Sequence, residues 1–142
     1  MTAITLILFL QTLTQLESYS QNETSTNTPP ISIKTDNEAL GISVNWNSNI
    51  TPGNEIPFSI EFKHPFDDTN LQHVNYDLHL FDNNGEPVYS KESLHTHTGS
   101  DVQNVMIENS GSYTMLITVV GTGIDPPFDA TRSGIAQIPL DF

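Results

Sequence analysis

The sequence predicts an all-β fold, a single antiparallel β-sandwich of about seven or eight strands. Three observations carry that reading. From Ile31 onward, short segments alternate apolar and polar side chains with a period of two. They recur at intervals of about ten residues, with Asn, Asp, Gly and Pro clustered between them. No segment sustains the 3.6-residue period of a helix. Short alternating strands at such spacing close into a sandwich or a small barrel.

Taken in order, segments 31–35 and 40–46 are the first two alternating runs. A turn region containing Pro52-Gly53 follows. Segment 56–63 then places Ile56, Phe58, Ile60 and Phe62 on one face. After a loop over 64–70, segment 73–81 sends Val74, Tyr76, Leu78 and Leu80 inward and His73, Asn75, Asp77 and His79 outward. Asp82-Asn-Asn-Gly85 closes a hairpin into 87–92, and segments 102–107, 112–120 and 134–140 complete the set.

The first thirty residues belong to a different regime. Ile4 to Leu10 is an apolar run, too short for the roughly 20 residues that span a bilayer. With Ser18-Tyr19-Ser20 as a small-x-small cleavage site, residues 1–20 read as a signal peptide. The departure is charge, since no basic residue precedes Lys34. Either translation starts further upstream or the leader is atypical, and the alternative is an N-terminal helix packed on the domain. Residues 21–30 are polar and end in two prolines, a composition that predicts a disordered tether. The sandwich is then expected over 31–142, and the protein is expected to be secreted or on the cell surface. Asn22 and Asn49 stand in glycosylation sequons, both in segments predicted to be accessible.

Composition narrows the partners. The chain has four Lys and Arg against seventeen Asp and Glu, for a formal charge of −13. Lys34, Lys63, Lys91 and Arg132 are scattered singly, so the basic footprint that nucleic acid requires is missing. The same acidity disfavours an anionic membrane surface and favours cations. With no cysteine, the sequence excludes disulfides, thiolate metal sites, blue-copper centres and cysteine nucleophiles.

The run Asn109-Ser-Gly-Ser-Tyr113-Thr-Met-Leu-Ile-Thr-Val resembles the penultimate strand of immunoglobulin-like and fibronectin-type domains. The resemblance implies that Tyr113 is a corner tyrosine, its ring in the core and its hydroxyl bonded to nearby backbone. Trp46 lies too early in the chain to be the core tryptophan of an antibody domain, so the likeness is to the architecture. A narrower set of motifs comprises Tyr76-Asp-Leu, Asp82-Asn-Asn-Gly-Glu-Pro-Val-Tyr, Leu94-His-Thr-His-Thr-Gly99 and Gly111-Ser-Tyr113. These resemble exported immunoglobulin-like proteins of ammonia-oxidising archaea. That resemblance covers about a third of the chain and implies export and fold, with no catalytic motif.

The histidines form the one pointed chemical signal. His73 and His79 share the outer face of their strand with Asp77, and His95-Thr-His97 offers two imidazoles on one face of an extended segment. A three-residue hairpin loop with Gly85 left-handed would pair Asp82 with Glu86. In that register His79 faces Tyr89, Asp77 faces Lys91, His73 faces His95, and Leu80 faces Val88. His73, Asp77 and His95 then share one outer face, with His97 close by. A two-residue turn would shift the register by one and send His95 and His97 to the other side. The candidate metal set is therefore His73, Asp77, His79, His95 and His97, suited to copper or zinc as Cu(II) or Zn(II). The competing readings are a polar, solvent-facing sheet whose His and Asp residues are ordinary cross-strand partners, and a histidine-lined protein interface. His64 stands apart, before Pro65 in a loop.

Asp67-Asp68, Asp82-Asn83-Asn84 and the pair Asp125 and Asp129 offer oxygens for Ca²⁺, but none has a twelve-residue EF-hand pattern. The sequence shows no nucleophile–base signature, phosphate loop or His-Glu-x-x-His, so no enzyme is expected. Three functions remain: a surface binding or adhesion module engaging a protein or surface component, an extracytoplasmic Cu(II)/Zn(II) binder, and a structural subunit of a surface assembly.

Overall fold

A computed structural model describes residues 28–142 of the protein. The expected leader, the Asn22 sequon and most of the tether lie outside those residues. Eight strands follow in order: β1 (Ile31–Lys34), β2 (Gly41–Asn45), β3 (Glu55–Lys63), β4 (Val74–Asp82), β5 (Pro87–Thr96), β6 (Ser100–Met106), β7 (Ser112–Thr122) and β8 (Gly134–Asp141). A single 3-10 turn, Ala130–Arg132, precedes β8. Every strand pairing is antiparallel.

The strands form two four-stranded sheets, in the orders β1-β2-β3-β6 and β5-β4-β7-β8. The chain crosses between sheets after β3, β5 and β6, so β6 returns to pair with β3 and β7 returns between β4 and β8. That Greek-key pattern makes the protein an immunoglobulin-like sandwich. No helix among the described residues is long and apolar enough to cross a membrane.

Period-two alternation places the core as expected. Phe58, Ile60 and Phe62 of β3 are buried against Val74, Tyr76, Leu78 and Leu80 of β4 and against Met115, Ile117 and Val119 of β7. Each such side chain stabilises the fold by about 1.5–3 kcal/mol relative to exposure. Trp46 closes one end of the core, packing on Phe58 and Phe142 at ring separations of 5.8 and 6.4 Å. Tyr113 joins them, 5.7 Å from Phe142, and its hydroxyl donates to the Asn109 carbonyl at 2.7 Å. This is the corner tyrosine. At the other end the Phe62 and Tyr76 rings pack tilted at a centroid separation of 4.8 Å, and the Tyr76 hydroxyl donates to Asp101 of β6 at 2.6 Å. Burial, then the bond to Asp101, pushes the Tyr76 phenol well above its ordinary pKa.

The hairpin joining β4 and β5 departs from the expected register, although the turn itself is the expected one. The Asp82 N–H donates to the Glu86 carbonyl, and Gly85 is left-handed at φ 81°. Phe81 pairs with Pro87, but a bulge at Val88 then slips β5 by one residue. Leu80 therefore meets Tyr89 rather than Val88, and Val88 is exposed; His79 meets Ser90 rather than Tyr89. A second bulge beyond Leu78 slips β5 by one more, so Tyr76 pairs with Leu94 and Asn75 with His95. Lys91 pairs with Leu78 instead of Asp77, and His95 with Asn75 instead of His73. The second bulge is held by Asp77, whose carboxylate accepts from the Ser93 N–H at 2.8 Å while Ser93 is left-handed at φ 58°. Two one-residue slips sum to an even shift. His95 and His97 therefore stay on the outer face that the simpler register assigned to them.

Candidate metal centre

Three strand ends converge where the outer face of the β4–β5 hairpin meets the tip of β7. His73 immediately precedes β4, His95 is the penultimate residue of β5, and His97 immediately follows β5. The twice-shifted register carries on past the strand end, so His73 lies across from His97 and donates its backbone N–H to the His97 carbonyl at 3.3 Å. The His73 carbonyl accepts from Gly123, beyond β7, at 2.8 Å. His73 is thus clamped from both sides, and it adopts a left-handed backbone at φ 53°. Non-glycine residues held there store about 1–3 kcal/mol of strain, which surrounding structure must impose.

Gly99 brings the 95–97 segment against His73. Its φ is +75°, its carbonyl accepts from Phe62, and a Cβ at this position would be driven into the Leu71 carbonyl. Only glycine permits both that conformation and that approach. The turn after β5 is therefore packed directly on the segment that delivers His73.

The result is a triangle of imidazoles. The His95 and His97 ring centroids are 4.7 Å apart, His73 and His97 5.2 Å, and His73 and His95 5.6 Å. One ring nitrogen from each lies within 4.8 Å of the other two. Metal–imidazole bonds of about 2.0–2.1 Å in a tetrahedral site put donor nitrogens ~3.3 Å apart. His97 is exposed, so its side chain is the one of the three least fixed by packing.

Two details bear on the nitrogens. Asn75 is 8% exposed, and its Nδ2 donates to the Gly123 carbonyl at 2.8 Å. Its Oδ1 is thereby the acceptor facing His95 Nδ1, also at 2.8 Å. The His95 proton then resides on Nδ1, and Nε2 carries the free lone pair. Metal-binding histidines are oriented in this way, by an acceptor on the nitrogen opposite the metal. His73 supplies the second detail: its Nδ1 is buried and makes no hydrogen bond. Such a nitrogen calls for an explanation, and a cation accepting its lone pair is one. Burial, and then the neighbouring charges of His97 and His73, hold the His95 imidazole below its ordinary pKa. The metal-competent neutral form is favoured accordingly.

Of the five expected ligands, the structure brings His73, His95 and His97 together. Asp77 shares their face but falls outside the cluster, and its Oδ1 accepts from the Ser93 N–H. His79 lies six residues along β4 from His73, about 20 Å away at the ~3.3 Å rise of a strand. There its Nδ1 bonds the Ser90 hydroxyl at 2.8 Å, and its ring stacks on Phe81. The oxygen-rich turns have local work to do. Asp67 accepts from Thr69, Asp82 from Asn84 and Glu86, and Asp129 from Thr131. Those bonds lower all three carboxyl pKa values. Asn75, Gly99 and Gly123 are the contributors that motif reading passed over. A polar amide inside a central strand, flanked by outward histidines, was the available signal for Asn75.

An immunoglobulin-like sandwich with a three-histidine cluster at one end of its β5–β4–β7–β8 sheet is thus the class that fold and site define. No protein-family profile matches the chain, and no curated protein matches it. Among solved structures it is similar to the β-glucuronidase of Parabacteroides merdae, in a crystal structure with glycerol in its active site. The two are 16% identical with a TM-score of 0.45, over 71% of this chain and 13% of that one. Nothing about the chemistry of this chain follows from a likeness of that extent.

Proposed function

We propose that the protein is an extracytoplasmic metal-binding sandwich that captures Cu(II) or Zn(II) through His73, His95 and His97. The convergence of three ring nitrogens within 4.8 Å is the observation that carries the reading. The Asn75 bond to His95 Nδ1 supports it as the kind of contact that orients a metal-binding imidazole, and the partnerless His73 Nδ1 leaves a ring nitrogen with no competing bond. Three imidazoles suit both ions, and the intrinsic affinity order places Cu(II) above Zn(II). The formal charge of −13 favours the approach of cations. The apolar run Ile4–Leu10, the small residues Ser18 and Ser20, and the resemblance to exported archaeal sandwiches support an extracytoplasmic location. This gives the broader expectation of a non-enzymatic binding module a specific ligand.

Calorimetric titration with Cu(II) and with Zn(II) tests it, alongside a His95→Ala/His97→Ala double variant. The expected result is one ion per chain, with binding lost in the variant. Equal heats in both proteins would exclude the site.

A further inference from the structure

We propose that a metal ion held by His73, His95 and His97 keeps one coordination position open, and that a small monodentate anion from solution exchanges with water there. This rests on the metal-binding reading above and names the external ligand of that site.

The first ground is donor count. Among the described residues, the cluster contains three histidines and no carboxylate within ligand reach, and the chain has no cysteine to complete a fourth bond. The polar groups beside it are turned to other work. Asp77 binds the Ser93 N–H, the Asn75 oxygen faces His95 Nδ1, and the Asn75 amide nitrogen points at Gly123. The second ground is access. His97 is exposed, His73 and His95 are half-buried, and the cluster lies on the outer face of its sheet. The exposed edge of His97 leaves such a site reachable from solvent. The third is charge. Closed structural zinc sites use four protein ligands, often including anionic thiolates, whereas three neutral imidazoles leave the full +2 charge on the ion and a water in the fourth place. Such a centre prefers an anionic fourth ligand to a neutral one. The acidity of the chain weakens that preference at long range, but ~0.15 M salt screens exposed charges beyond about 8 Å.

Ligand exchange here makes one metal–anion bond and releases one water, with no change in oxidation state. Co(II) in place of the native ion supplies a visible spectrum that reports its coordination, and azide is the probe. The full chain is loaded with one equivalent of Co(II), binding is confirmed by the appearance of visible bands, and azide is then titrated. The expected result is a saturable shift of those bands that reverses on dialysis. Bound Co(II) whose bands ignore a large excess of azide would show a filled coordination sphere and overturn the proposal while leaving metal capture intact. Failure of Co(II), Zn(II) and Cu(II) alike to bind would instead remove the metal reading itself, and this inference with it.

Discussion

Replacing Asn75 by Ala separates a metal-positioning role from a purely structural one. In the folded protein the amide makes two well-formed bonds of 2.8 Å, one to His95 Nδ1 and one to the Gly123 carbonyl; its 3.4 Å approach to the His73 carbonyl is too long to add much. At a net 0.5–1.5 kcal/mol per bond, Asn75→Ala should lower metal-free stability by about 1–3 kcal/mol. Losing the acceptor that orients a metal-binding imidazole typically costs ~10–100-fold in metal affinity. Asn75→Asp supplies the contrast. A carboxylate still accepts from His95 and raises its basicity, but it opposes the Gly123 carbonyl with no proton to share. Metal-free Asn75→Asp should therefore lose stability much as the Ala variant does, while its metal affinity stays within about tenfold of wild type or improves. Urea denaturation of the metal-free proteins gives the first quantity, and competition against a chromophoric chelator gives the second. Parallel loss of stability and affinity in both variants, or no loss of affinity in the Ala variant, would refute the positioning role.

Other perturbations reach the fold and the protonation of the site. Gly99→Ala forces a Cβ into the Leu71 carbonyl at a left-handed φ of +75° and should cost roughly 2 kcal/mol or more in urea denaturation, with weakened Zn(II) binding because His97 loses its seat. Tyr113→Phe removes the bond to the Asn109 carbonyl and should lower stability by about 1 kcal/mol without touching metal affinity. His95 titrates below its ordinary value in the folded state, so as pH falls beneath the unfolded value of about 6.5 the unfolded chain takes up a proton first. Its contribution is fully present above that pH and is lost as pH drops through the lower folded value. The thermal midpoint of the metal-free protein should fall over that window, and the slope should shrink in His95→Gln.

Much of this architecture was legible in the sequence, because alternation reports burial directly. Ile56, Phe58, Ile60 and Phe62 all point inward as their period of two requires, and Gly85 correctly marks a three-residue turn. The bulges were not legible. Neither Val88 nor the Glu92-Ser93 pair contains a glycine, and the second is stabilised by a carboxylate sixteen residues away that sequence pairing had assigned to Lys91. The site survived that error because two slips restore the parity of faces, so the three clustered histidines were correctly placed on one side. Their actual partnership, His73 across from His97 and His95 held by Asn75, depends on the even shift and could not be read from spacing alone. The distinction between His79 and its neighbours is a matter of reach along the strand, which a shared face conceals.

X-ray absorption of the Zn(II)-loaded protein tests three-histidine capture most directly, since it counts the donors around the ion. Coordination by His73, His95 and His97 predicts three imidazole nitrogens at about 2.0–2.1 Å with one further light atom, and no site-bound Zn(II) in the His95→Ala/His97→Ala variant. An all-oxygen shell, or a single imidazole that persists unchanged in the variant, would contradict it.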